Sequence, residues 1–287
     1  MIRFTKEKPF MVCVPAYRPP MWFLGLTLVL VFLTSCAQVP LTQRKSLHLV
    51  PDREVLALSF QQYRDVIRKA KLSNDEEKLK MVRRVGKRIA KAAERFLRDE
   101  GLGQEVKNYH WEFNLIDNDK VVNAWCMPGG KVAVYTGILK YTKDEAGLAV
   151  VLGHEVAHAI ARHGNERMSE ALLANLGGMA LSAALASKPV ETRQLFMAAF
   201  GLGANVGFLL PYSRVQESEA DRIGVMLMAR AGYDPRVALS FWERMSKAGR
   251  KRHPEFLSTH PAPKTRIRNL KVYIQEALPY YKKEKPL

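Results

Sequence analysis

Hydrophobic and polar positions along the chain predict a mainly helical protein with one small sheet. From Arg53 to about Ala70 the apolar positions Val55, Leu56, Leu58, Phe60 and Val66 suit a helix. Ser73-Asn74-Asp75-Glu76 opens a second helix running to about Arg98, with Ser73 as the cap reaching toward Glu76. Gly101 and Gly103 break that pattern. Three short strands follow, at Trp111 to Ile116, Val121 to Trp125 and Lys131 to Thr136, with turns at Asp117–Lys120 and Met127–Gly130. Thr142-Lys143-Asp144-Glu145 reads as a capping box that starts a largely apolar, buried helix carrying Leu148, Val151, Leu152, Val156, Ala159 and Ile160. Residues 171–210 hold two apolar runs too short to span a bilayer, and read as a helical hairpin over the active site rather than a membrane insertion. Ser213 and Gln216 form another capping box.

The 287 residues allow one or two domains with an ample core. A formal charge of +17 suggests an anionic partner, but it is spread widely enough to be explained by solvated helix faces. No nucleic-acid module is visible, so a membrane surface is the preferred partner reading. The N-terminus supports it. Met21 to Leu33 is apolar, follows Arg3, Lys6, Lys8 and Arg18, and has the length of a signal-peptide core. It ends in Leu33-Thr34-Ser35-Cys36, which resembles the bacterial lipobox, so Cys36 is the expected lipidation site. The expected division is a signal peptide over 1–35, a tether over 36–52 and one domain over 53–287. Ala37, rather than Asp, after the cysteine favours the outer membrane, facing the periplasm. Cys126 is then a free thiol.

His154-Glu155-Val156-Ala157-His158 carries the chemistry. Residues four apart on a helix share a face, so both imidazoles can meet one Zn²⁺ per chain. Glu155, beside the first of them, is placed to take the proton from an attacking water. His163, five residues past His158, falls off that face and reads as a helix-end histidine. A third ligand is needed. Glu217 and Asp221 share a helix face, so one carboxylate can bind the metal while the other orients a ligand histidine. Glu219 between them reads as solvent-exposed.

These residues, with Asn123-Ala124 to Tyr135-Thr136-Gly137, Thr259-His260-Pro261 and Arg266-Ile267, closely resemble the zinc metallopeptidases of the HtpX and CAAX prenyl protease type, metallopeptidase family 48, over roughly residues 53 to 275. The resemblance implies an α+β, mainly helical, zincin-like (gluzincin) fold with a small β-sheet beside the HExxH helix. It implies His154, His158 and Glu217 as zinc ligands and Glu155 as catalytic base. Asp221 would orient a ligand, and His260 would stabilise the oxyanion or fill the open metal position in a latent form. The chain lacks the paired membrane spans of HtpX and looks more like a lipid-anchored periplasmic branch. That branch implies an endopeptidase acting on misfolded or unassembled envelope proteins. The rival reading is a lipid-anchored chaperone or assembly factor that cuts little. Oligomeric state and cleavage preference are not readable.

Overall fold

The computed structural model describes residues 36–186, 190, 213–252, 254–260 and 264–283. It divides at Cys36 into units Met1–Cys36 and Ala37–Leu287. The expected signal core and most of the second half of the expected hairpin, including Leu195–Leu210, fall outside the described residues.

The first described elements are β1 (Cys36–Gln38) and β2 (Lys45–Leu47), which pair with each other. The stretch expected as a tether makes specific contacts. Val39 is fully buried, Leu41 N donates to Glu100 Oε2 at 3.0 Å, and Leu49 N donates to Ser169 Oγ at 2.8 Å. Residues 39–49 form a strap fastened to the body. A tight connection with positive φ at Leu41 and Gln43 gives it no period to read.

Helix α1 (Asp52–Lys69) has Asp52 and Glu54 in its first turn and Arg68 and Lys69 in its last, matching the helix dipole. Helix α2 (Glu76–Asp99) is capped by Asp75, whose carboxylate accepts from Lys78 N at 3.0 Å. Ser73 is therefore not the cap. Its N–H donates to Leu115 O, which holds that stretch extended beside the sheet. Several basic residues of α2 face water as expected, but Arg88 donates to Ala231 O at 2.6 Å and Arg95 to Arg230 O at 3.0 Å. Both carbonyls lie at the end of another helix, where a cation is favoured.

Strands β3 (Glu112–Ile116), β4 (Ala124–Met127) and β5 (Lys131–Tyr135) form a sheet in the order β3-β5-β4. β5 lies between the other two, parallel to β3 and antiparallel to β4. The β4–β5 turn carries Gly129 and Gly130 at φ +82° and +81°, a region that glycine adopts without strain. β4 is left as an edge strand among the described residues, against the HExxH helix.

Short α3 (Thr136–Thr142) precedes α4 (Glu145–Ile160), which carries the HExxH segment. The cap of α4 is Asp144, accepting from Gly147 N at 2.8 Å. Thr142 belongs to the end of α3, and Lys143 at φ +70° separates the two helices, so the box at Thr142 does not form. Then come α5 (His163–Ala184), α6 (Arg214–Arg230), α7 (Val237–Arg252), α8 (Glu255–Thr259) and α9 (Lys264–Lys283). The Ser213–Gln216 capping box on α6 is present. No helix among the described residues is long and apolar enough to cross a membrane.

Helix α4 is buried from Gly147 to Ile160, packed on α6, α2 and β4. Two glycines allow its approach to α6. A Cβ on Gly224 would stand 3.0 Å from His154 N, and one on Gly153 would stand 2.9 Å from Gly224 O. Contact at backbone distance brings the first turn of α6, with Glu217, to the histidine face of α4.

The strap is held by charge. Arg44 Nη1 and Nη2 donate to Glu166 Oε1 and Oε2 at 2.5 and 2.8 Å. Burial would raise the Glu166 carboxyl, but hydrogen bonds from Arg44 and Gln216 outweigh it and hold it below its ordinary range. A carboxylate depressed on folding adds stability above its unfolded pKa, lost as pH falls through the lower folded value. Urea unfolding below about pH 4.5 should therefore depend less steeply on pH in Glu166→Gln than in wild type.

Candidate metal centre

Helix α4 presents His154 and His158 one turn apart, α6 presents Glu217 from its first turn, and His260 follows α8. One ligand atom from each of these buried residues lies within 4.8 Å of all the others. His154 Nε2 is 3.1 Å from His158 Nε2 and 3.2 Å from His260 Nδ1. Glu217 Oε1 is 2.8 Å from His260 Nδ1 and 3.2 Å from His158 Nε2. Nitrogens bound to a tetrahedral zinc at 2.0–2.1 Å stand about 3.3 Å apart, so this spacing suits a single ion. Three imidazoles and a carboxylate also suit zinc by chemistry. Glu155 Oε1 is buried without a hydrogen-bond partner, 3.3 Å from His260 Nε2. Such an atom fits a site that takes up a water or an amide.

A second layer orients these groups. His154 Nδ1 is 3.2 Å from Asp221 Oδ1, the arrangement that fixes a ligand's tautomer. Arg266 grips Asp221 with Nε and Nη2 at 2.6 and 2.7 Å, and its Nη1 lies 2.9 Å from Glu217 Oε2. Its guanidinium stacks 3.4 Å over the Trp242 ring, which packs edge-on to His154. Two carboxylates buried so close together need this cation.

The sequence profile described as peptidase family M48 matches residues 78–274, more than half of the chain. The chain belongs to peptidase family M48. The mainly helical fold, with its small sheet and a histidine-rich group that could hold a metal, agrees with the zincin-like architecture expected. The mitochondrial metalloendopeptidase OMA1 of Arabidopsis thaliana is 40% identical over 179 residues, covering 62% of this chain and 35% of that protein. OMA1 of Schizosaccharomyces pombe is 40% identical over 174 residues, covering 60% and 49%. The beta-barrel assembly-enhancing protease of Escherichia coli is 32% identical over 163 residues, covering 55% and 33%. The chain thus spans between a third and a half of the length of these relatives. Their likeness is to the OMA1 and beta-barrel assembly-enhancing kinds, and does not single out the HtpX and CAAX prenyl protease type suggested by the motifs.

In this M48 site the ionisable groups are poised by their surroundings. Burial drives His158 well below its ordinary pKa, leaving it in the neutral form that ligates. Burial raises Glu155, against the opposing pull of His260 and His154. For Glu217 burial also acts upward, but the charges at His154 and Arg266 hold it well below the usual carboxylate range. Burial and Arg266 lower His154, yet Glu217 and Asp221 carry it up to about 9.

The structure brings His154, Glu155, His158, Glu217, Asp221 and His260 together in one buried cluster. Cys36 is far outside it in sequence, at the unit boundary. Cys126 is a buried free thiol, its pKa pushed well up by burial. One reading fails: Glu219 is not solvent-exposed but 4% accessible. His163 stands at the start of α5 and outside the ligating group, as expected, and is fully buried with Nδ1 2.9 Å from His158 Nδ1. Arg162 adopts a left-handed turn at φ +59° between α4 and α5, which carries His163 back against the far side of His158. The sequence assigns Arg266 no role, though the structure places it at the centre of the site. Its signal is a polar residue among the apolar positions of a terminal helix.

Proposed function

We propose that this chain is a zinc-dependent metalloendopeptidase, with His154, His158 and Glu217 holding the ion and Glu155 as catalytic base. The observation that carries the reading is the buried Glu155 carboxylate set beside a converging group of metal-ligating atoms. Zinc, when bound, supplies Lewis-acid polarisation and a water acidic enough to attack near neutral pH. Glu155 takes the proton from the attacking water and returns it to the leaving amine. Its burial-raised pKa suits both halves of that task. Asp221 and Arg266 keep His154 and Glu217 in place.

An extended polypeptide is the substrate class. The free edge of β4 offers backbone groups for a substrate strand. Beside its end, a groove of about 340 Å³ is lined by Leu58, Met127, Pro128, Gly164, Met168 and Ala171 among others, and is apolar enough to take side chains. The targets are misfolded or unassembled cell-envelope proteins, a reading supported by the likeness to a protease named for beta-barrel assembly. A lipid anchor at Cys36, in a bacterial envelope and facing the periplasm, would hold the enzyme near such targets. Degradation of an unfolded protein by the zinc-loaded chain, lost on chelation and restored by zinc, is the expected test result. Persistence of cleavage in a strong chelator would remove the metal reading.

His260 supports a second feature. Its Nδ1 lies in the ligand group itself, where a catalytic zinc would need an open position. We read it as a latch whose displacement admits substrate. His260→Ala should then raise the basal cleavage rate, measured on a quenched-fluorescent peptide. A fall would favour the oxyanion role.

A further inference from the structure

The strap that precedes α1 reaches the metal group through an unbroken series of polar contacts. His158 Nδ1 is 2.9 Å from His163 Nδ1, and His163 Nε2 is 3.1 Å from Glu219 Oε2. Glu219 Oε1 accepts from Thr42 Oγ1 at 2.7 Å and from Arg44 Nε at 2.9 Å, while Oε2 accepts from Arg44 Nη2 at 2.9 Å. Proton placement along this series is self-consistent. His158 turns Nε2 toward the metal group, so Nδ1 carries its proton and donates to His163 Nδ1. His163 then carries its own proton on Nε2 and donates to Glu219, which is acceptor-only and receives Thr42 and both arms of Arg44 as well.

Burying an imidazole and a carboxylate here costs desolvation that an apolar pair would avoid. The expense has a rationale if the pair transmits orientation to His158. A ligand histidine bonded through its other nitrogen keeps one tautomer and one ring angle and becomes a better donor. Arg44 is the outermost member. Its two-pronged grip on Glu219, with Glu166 bracing the other side, makes the guanidinium rigid.

We propose that Arg44 is a positioning residue for the metal ligand His158, acting through Glu219 and His163. The proposal rests on His158 being a metal ligand. It makes the strap after Cys36 part of the metal site.

The test uses the full chain. Zinc affinity is measured by competition with a chromophoric chelator, and ligand geometry by the visible absorption of the Co²⁺-substituted protein. Arg44→Ala, Glu219→Gln and their double variant are compared with Arg44→Lys and with Arg230→Gln. The last loses a buried arginine contact to Asp99 at the far end of α6. Arg44→Ala should weaken zinc binding about 10–100-fold and alter the cobalt spectrum. The double variant should bind no more weakly than Glu219→Gln alone. Arg44→Lys should restore only part, because an ammonium cannot reproduce the fork. Arg230→Gln should lower the melting temperature and leave affinity and spectrum as in wild type. Wild-type affinity and spectrum in Arg44→Ala, or additive losses in the double variant, would overturn the proposal. If Arg44→Ala does not fold, Glu219→Gln and Arg44→Lys decide by the same readouts. Failure of the wild-type protein to take up cobalt would overturn the metal-ligand reading itself, and the proposal with it.

Discussion

Glutamine in place of Glu155 is expected to abolish measurable proteolysis while leaving the metal bound. The amide has nearly the shape of the carboxylate, so packing around this buried side chain changes little. It cannot accept the proton from the attacking water, and loss of general acid–base assistance is worth about 10²–10⁴-fold in rate. Glu155 is not needed to hold the ion, because His154, His158, Glu217 and His260 form the converging group without it. Zinc content near one per chain, with the melting temperature unchanged or raised, would accompany the loss. Relieving a buried carboxylate oxygen that has no hydrogen-bond partner favours a rise. This variant also separates the two functional readings. A peptidase loses its effect on client proteins, whereas a chaperone or assembly factor that cuts little keeps holding them. Equal cleavage by both proteins would refute the role given to Glu155.

Valine at Gly224 should be nearly as damaging, for a different reason. A Cβ there would lie 3.0 Å from His154 N and 3.1 Å from Gly153 C, both backbone atoms in the buried part of α4. Neither can swing aside as a side chain would. The helices must separate, at a cost of about 1–3 kcal/mol for overpacking of this kind. The separation acts on chemistry as well. Glu217 lies seven residues before Gly224, two turns along the same α6, so moving α6 moves the carboxylate away from His154 and His158. Misplacement by about 1 Å can cost about 100-fold in rate. A lower melting temperature together with weaker zinc binding is the expected pair of results. Unchanged zinc affinity would show that Glu217 does not depend on this contact.

Much of the site was legible because its parts are local. His154, Glu155 and His158 share one helical turn, and Glu217 and Asp221 share another. Four-residue spacing alone places His154 with His158, and Glu217 with Asp221, on a common face. The Ser213–Gln216 box that starts α6 is equally local and forms as expected. The caps at Thr142 and Ser73 failed because the same hydroxyl chemistry occurs just ahead of an aspartate. A short helix in one case and pairing beside the sheet in the other left Asp144 and Asp75 at the helix starts.

Contacts between distant segments had no such signature. Thr42 and Arg44 meet Glu219 across more than 170 positions, and the intervening periodicity carries no trace of that meeting. Strand order is similar. Residues 112–135 show three alternating stretches, but the placing of β5 between β3 and β4 depends on which edges the surrounding helices cover. Residue types and their spacing along single helices marked the candidate metal-ligating residues, because a helix turns through a fixed angle per residue. The closeness of α4 to α6, the return of His163 and the insertion of the strap were decided only in three dimensions. There, packing and the need to pair buried charges choose among many chain paths that local periodicity leaves equally open.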